Sequence, residues 1–462
     1  MPTPFGERSA STAARRVRAV PAGLVLAGAL ALQSTAGATA PPVDRGADVG
    51  DHHESAHAEP AGERLDFDEA IGLGTSSPGL VGLQETLRMR RSADEDLPTL
   101  SQNPQLQVMP GGRLPGAQEP GFELQAQLTQ GWRLGGYGSK RKDAAQAETE
   151  ALAAEVRAAQ LERSLGAAAA WIDLHAAEAR LAEANAALET DRQLLALLER
   201  ARSAGAATAI EVAMAQTAVA EAQLAVTELQ GEVHDLGLHL AREVGSKAPN
   251  PLHTRGEYPD PPLASEAEMR EAFARLDSLP TVVQRRLDAR AARARSVEER
   301  ASTSTLLTTG VAYQRESNGD SMLFGLVGVQ VPLWDRNQRS VAASELEAGR
   351  AEAQAEQMAV EAAAQLRVAL HDLHHSEERL RTLREETLPA IDSQIAALER
   401  AVEMGEGTRI SALRARHLRH VVAREFITAE SRRVWARVEV WLYLQAIESA
   451  HGVDASAVEE IR

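Results

Sequence analysis

Residues 122–134 read FELQAQLTQGWRL, an almost unbroken alternation. Phe122, Leu124, Ala126, Leu128, Gln130, Trp132 and Leu134 share one side, and Glu123, Gln125, Gln127, Thr129, Gly131 and Arg133 the other. Successive side chains of a strand point to opposite faces, so the run predicts a strand with one apolar and one polar face. It is long enough to cross a bilayer as a tilted strand, which takes about nine to eleven residues. A weaker partner precedes it in Gln105 to Met109, followed by the turn-rich PGGRLPG at 110–116. A second hairpin lies further on. Leu307, Thr309, Val311 and Tyr313 alternate with Thr308, Gly310, Ala312 and Gln314, the polar turn ESNGD occupies 316–320, and Leu323 to Leu333 returns. Two settings suit such hairpins: a small soluble sheet with one face buried in protein, or a membrane sheet with one face in lipid. Strand length and an export signal favour the membrane, with Phe122, Leu124, Leu128 and Trp132 facing lipid. Lipid tolerates no open strand edge, and the smallest usual barrels have about eight strands. Four strands cannot close one, so the pattern predicts that several chains pool their strands.

The chain is also duplicated. Pro78-Gly79-Leu80-Val81 and Pro280-Thr281-Val282-Val283 each precede a helical stretch. Ala144-Ala145 and Ala342-Ala343 each open a long helix just after a strand pattern, and Gly205-x-x-Thr208 and Gly405-x-x-Thr408 each break one. Three anchors in the same order, roughly 200 residues apart, define two repeats. We place repeat one at 64–245, a Pro- and Gly-rich linker at 246–263 and repeat two at 264–448, with a tail at 449–462.

Each repeat carries a very long helical pattern. Leu174, Leu181, Leu188 and Leu195 recur by sevens, with Ala177, Ala184 and Leu198 interleaved. Leu366, Leu373 and Leu380 do the same in repeat two, continued by Ile391, Ile395, Leu398 and Val402. This is a coiled-coil seam. Unbroken helices over 140–204 and 339–403 would each be about 95 Å long at ~1.5 Å per residue. Thr208-Ala-Ile-Glu211 fits a capping box, so a new helix starts at once after Gly205 and the two form a tight hairpin. Repeat two keeps Gly405, Gly407 and Thr408 but has Ser411 where Glu would complete the box.

The first forty residues read as a secretory signal, the alternative being an anchored N-terminal helix, for which the apolar run is short to span a bilayer. Arg15, Arg16 and Arg18 precede the apolar Val20 to Leu32, and Ala38-Thr39-Ala40 gives a small-x-small cleavage site. Residues 41–63 read as a flexible polar leader. No later run is long and apolar enough for a membrane helix. There is no cysteine, hence neither disulfide nor lipoprotein anchor. The formal charge of −17 argues against nucleic acid and against anionic lipid surfaces as partners. Aromatics at 3% suit long helices packed through small side chains better than a compact aromatic core.

No catalytic constellation stands out, and no cofactor is expected. Gly135-Gly136-Tyr137-Gly138 lacks the strand–turn–helix setting of a dinucleotide loop and reads as a turn. His371, His374 and His375 sit at i, i+3 and i+4, and His417 and His420 repeat the i, i+3 spacing. Such imidazoles suit zinc or copper, or simply a solvated helix face. His52, His53 and His57 lie in the leader with Glu54 and Glu59, as a weak metal-gathering tail or an unstructured polar segment.

Residues 65–446 resemble the TolC-type outer-membrane efflux proteins. Three signatures accompany the twice-repeated hairpin and long-helix order. Val331-Pro-Leu-Trp-Asp-Arg-Asn-Gln338 is similar to the PLFDRNQG run of the heavy-metal (CzcC- and CusC-like) branch, with Arg339 where that branch often has Gly. The paired Gly-x-x-Thr breaks and Asn103-Pro104 are the others. The resemblance implies a homotrimer sharing a twelve-stranded barrel in the outer membrane. A long helical barrel would extend into the periplasm and join a periplasmic adaptor and an inner-membrane pump. It implies passive export, with metal cations as cargo, or drugs and other organic solutes. It places Gly205, Thr208, Glu211, Gly405, Gly407, Thr408, Arg409 and Arg414 at the periplasmic tip, where the adaptor docks. Family members often carry an acidic ring there; here Met214 and Arg414 hold matching positions, and Ser411 stands opposite Glu211. A reading from another class is a periplasmic coiled-coil adaptor or scaffold, which would normally need a β-rich domain flanking one hairpin.

Overall fold

A computed structural model describes residues 62–98, 100, 102–113 and 121–459, with side chains described as far as residue 449. The signal sequence, most of the leader with His52, His53 and His57, and part of the 110–116 turn lie outside the described residues. In chain order the elements are β1 (Arg64–Leu65), α1 (Phe67–Thr75), α2 (Pro78–Glu95), β2 (Gln105–Arg113) and β3 (Gly121–Arg133). Then come α3 (Tyr137–Ser203), α4 (Ala209–Glu243) and β4 (His253–Thr254). Repeat two supplies α5 (Glu266–Ala274), α6 (Pro280–Ser302), β5 (Leu306–Arg315), β6 (Ser321–Gln330), α7 (Gln338–Thr382), α8 (Leu388–Glu403) and α9 (Arg409–Glu459).

The two hairpins form one antiparallel sheet in the order β2-β3-β5-β6. Its central pairing, β3 with β5, joins the two repeats. Periodicity within each hairpin is silent about which hairpin neighbours which.

α3 is 67 residues long without interruption. Among its first buried positions Ala144, Ala147, Ala151, Ala154, Ala158 and Leu161 alternate three and four residues apart, with Val156 buried between them. That is a heptad seam made of alanine, and small side chains let helices approach closely. Ala147 and Ala151 pack on Ala291 of α6. The leucine seam continues it: Leu174, Ala177, Ala184, Leu188 and Leu198 are all buried.

The expected unbroken helix over 339–403 needs correction. α7 ends at Thr382, residues 383–387 form a π-helical turn, and α8 resumes at Leu388. The cause is Pro389. A proline inside a helix lacks an N–H and its ring collides with the carbonyl four residues back, here that of Glu385. One widened turn relieves the collision without ending the helix. Leu366, Leu373, Leu380 and Ile391 stay buried through it. α9 runs on to Glu459, so no element ends at 448.

The main core lies around Trp171, Leu174, Leu240, Val282, Leu366, Val434 and Val438, drawn from five helices. Trp171 donates its indole N–H to the Leu65 carbonyl at 2.9 Å, and Phe67 meets its ring edge-on. β1 pairs in parallel with β4, Arg64 opposite His253. The 246–263 segment is therefore more than a linker: it gives the core Leu252 and the β4 strand. Glu178 of α3 holds that strand, accepting from the Thr254 hydroxyl and lying 2.8 Å from His253 Nδ1.

Candidate functional site: a two-faced sheet and a pair of helix turns

The register sorts the sheet into two faces. Leu106, Leu128, Val311 and Gly325 form one rung, and Val108, Ala126, Tyr313 and Leu323 the next on the same face. Trp132, Leu307 and Val329 complete it at the end from which β3 and β6 leave for the helices. Phe122 (62% exposed), Leu128 (47%) and Trp132 (42%) lie open on this face, with Leu124 half-buried. Trp132 donates its indole N–H to Thr309 Oγ1 at 3.0 Å, so its polar atom is satisfied within the sheet. An exposed apolar face four strands wide is costly in water and stable against lipid.

The opposite face carries Gln105, Gln107, Gln125, Gln127, Thr129 and Gln314. Gln127 bonds Gln107 across the strands at 2.5 Å. β6 departs from this polarity: Met322, Phe324 and Leu326 fall on the same side as the glutamines. β2 and β6 end the strand order, and among the described residues neither outer edge has a strand partner.

The second feature is the pair of turns. Gly205 has φ 77° and Gly405 φ 75°, a left-handed conformation that glycine adopts without steric cost. Beyond each, a backbone N–H reaches five residues back: Ala206 to Ala201 O at 2.8 Å and Glu406 to Ala401 O at 2.9 Å. At Gly407 a Cβ would lie 2.9 Å from that of Ala401, so the second turn has no room for a larger residue. Thr208 then caps α4 in a complete capping box. Its Oγ1 accepts from Glu211 N at 3.2 Å, and Glu211 accepts from Thr208 N at 2.8 Å. Those bonds from Thr208, with Arg414 assisting, hold the Glu211 carboxyl below its ordinary range. Thr408 accepts from Ser411 N at 3.4 Å, but Ser411 is too short to reach back and bonds the Thr408 hydroxyl instead.

The two turns come together. Leu194, Leu198, Val212 and Ala215 of repeat one pack with Ile410 and Leu413 of repeat two. Arg409 and Arg414 are exposed beside the outward-facing Ile210, Met214 and Met404. Just behind lie contacts that sequence spacing missed. His417 Nδ1 sits 2.9 Å from Asp191 Oδ1, and His420 Nδ1 2.8 Å from Glu183 Oε2. Burial pushes the Asp191 carboxyl up, against the pull of His417. These imidazoles thus face α3 carboxylates one to one. His371, His374 and His375 are exposed, His371 stacking on His375 with centroids 6.1 Å apart. Among the described residues no group of three or more ligating side chains is placed to hold a metal ion. Nor, among them, is any helix long and apolar enough to cross a membrane.

Solved structures share this architecture. The outer-membrane protein VceC of Vibrio cholerae matches with TM-score 0.64 and 17% identity over 82% of this chain and 95% of its own. CusC, whose structures describe transmembrane channel formation, matches with TM-score 0.65 and 16% identity over 82% and 91%. The CmeC outer-membrane channel of Campylobacter jejuni gives 0.66 and 13% over 82% and 85%. Neither a protein-family model nor a curated protein sequence matches. At these identities the likeness defines the fold: a mainly helical chain with a small β part, built as those outer-membrane channels are.

Proposed function

We propose that this protein is the outer-membrane channel of a tripartite export system, a passive conduit rather than an enzyme. The observation that carries the reading is the four-stranded sheet with a register-aligned apolar face and, among the described residues, two unpartnered edges. Three copies would close twelve strands, apolar face to lipid and glutamine face to the lumen. α3 and α4, and α7 to α9, would then wall the periplasmic part of the duct. The likeness to outer-membrane channels, which spans most of both chains, supports the location. It also weighs against a soluble adaptor, since both hairpins enter one sheet.

The two turns are the proposed docking surface for a periplasmic adaptor, itself bound to an inner-membrane pump. Arg409 and Arg414 point outward without serving either turn's backbone, so charge can be reversed there without unfolding it. Arg409→Glu with Arg414→Glu should leave expression and oligomer formation normal, yet abolish export and adaptor crosslinking. Wild-type crosslinking in that variant would move docking elsewhere along the helices.

The cargo proposed is heavy-metal cations, on the strength of the 331–338 run alone. Deleting the gene should then sensitise cells to transition metals more than to detergents or dyes. A drug-only phenotype would reject metals and leave the channel reading standing.

A further inference from the structure

The end of the sheet nearest the helices combines two features that the conduit itself does not use. The first is apolar exposure outside the strands. Past β6 the chain presents Val331, Leu333 (61% exposed) and Trp334 (87% exposed), and among the described residues the Trp334 indole N–H has no partner. Trp132 lies on the apolar face at the same end, because Trp132, Leu307 and Val329 share a rung.

The second is unpaired positive charge. Lys140 and Lys142, two of the chain's three lysines, follow β3 directly, and Arg336 and Arg339 follow β6. Among the described residues none of these four has a carboxylate partner, whereas many arginines on the helices do. Of the nearby acids Asp143 is exposed and, among the described residues, pairs with neither lysine, and the others are engaged elsewhere. Glu299 accepts from Asn337, Asp335 accepts from the Asn337 backbone N–H, and Glu298 faces Tyr137 and Arg141. Arg133 is likewise committed, donating to the Ser302 carbonyl and lying over the Tyr137 ring.

These cations do nothing for helix stability. The opening turns of a helix favour acidic side chains, as α1, α4 and α5 show. α3 and α7, like α2, α6, α8 and α9, have no acid in their first turn, and each carries a cation there, Lys140 in α3 and Arg339 in α7. Lys142, Arg336 and Arg339 are exposed and Lys140 is half-buried; tryptophan with Lys and Arg is the chemistry of a bilayer interface, where the ring sits at headgroup depth and the cations meet phosphate. The net charge of −17 is a property of the whole chain and opposes only a surface that sees all of it. Charges beyond a Debye length of about 8–10 Å are largely screened.

We propose that Lys140, Lys142, Arg336 and Arg339, with Trp334 among them, form a collar that binds anionic phospholipid headgroups at the helix-side rim of the sheet. The inference rests on the membrane-barrel reading and names the lipid that reading leaves open. It assigns the collar to the leaflet nearer the helices.

The test uses the full-length chain inserted into vesicles of neutral phosphatidylcholine, or of phosphatidylcholine with phosphatidylglycerol. Heat-modifiable oligomer is the readout. The wild type should insert into both, several-fold faster with phosphatidylglycerol at low salt, and the advantage should shrink at high salt. K140Q/K142Q/R336Q/R339Q should match the wild type in neutral vesicles and lose most of the advantage. A benzophenone side chain at position 334 should crosslink lipid. Equal insertion of the wild type with and without phosphatidylglycerol overturns the collar and leaves the barrel intact. So does crosslinking from position 334 to a second copy of the chain in place of lipid. Failure of the wild type to enter any vesicle overturns the barrel, and the collar with it.

Discussion

The two repeats place the same helices against each other with opposite electrostatics. In repeat one Asp173 of α3 faces His239 of α4; roughly 200 residues on, Asp372 of α7 faces Glu439 of α9. Burial raises both Asp173 and Glu439, but His239 pulls Asp173 back down, whereas Asp372 pushes Glu439 further, to about 7. The turns differ in the same direction, a full capping box at Thr208 against half a box at Thr408. So do the long helices, α3 continuous and its counterpart widened at 383–387. The two repeats thus share their packing seams, which any apolar residue of suitable size fills, and differ in charge, cap and helix continuity. In three independent places repeat two is the less tightly held half.

The largest expected effect tests where the halves should agree. They share one apolar sheet face, so Leu128→Arg and Val311→Arg should be alike, each costing about 2–4 kcal/mol near the bilayer midplane. Thr129→Arg and Gln314→Arg, on the other face, should be mild. Recovery of heat-modifiable oligomer measures all four, and equal tolerance on both faces would break the membrane account of the sheet.

Next is the acid pair. A carboxyl whose folded pKa is raised favours the folded state while protonated. That contribution is full below the unfolded value of ~4.3. It is lost as pH rises through about 7, the folded value for Glu439. Glu439→Gln should therefore raise the melting temperature at pH 8 and leave it nearly unchanged at pH 4. Glu439→His, which copies the chemistry of repeat one, should also stabilise near neutrality. A variant no more stable at pH 8 than the wild type would show that Asp372 and Glu439 are not in electrostatic conflict.

The smallest effect lies at the turns. Thr208→Ala removes the hydroxyl's bonds to Glu211 N and to the Glu211 carboxylate but leaves the backbone N–H half of the box; it should cost about 1 kcal/mol, and Thr408→Ala, whose bond from Ser411 N is longer at 3.4 Å, less. Hydrogen exchange of the first turns of α4 and α9 measures the difference. Equal losses would mean that the box adds nothing to a single capping bond.

Much of this was legible in the sequence because it is periodic. The alternation at 122–134 gave the strand and its two faces, and the heptads at 174–198 gave the seam, because burial repeats wherever one face is buried. What escaped has no period. The pairing of β3 with β5 is a choice between hairpins, set by tertiary packing. The alanine seam from Ala144 to Ala158 was hidden because alanine is also common on solvated helix faces. Pro389 stood in plain view, but a proline in a helical pattern reads equally as kink, stop or widened turn. His417 and His420 drew notice for their mutual spacing, while their partners, Asp191 and Glu183, lie on a helix more than two hundred residues away.

The central claim is that strands from separate chains close one barrel. The most direct measurement is the mass of the protein extracted from the outer-membrane fraction in mild detergent, before and after heating. The account predicts a species of three chains that falls to one on heating. A single chain found soluble in the periplasmic fraction, with the same mass before and after heating, would contradict it.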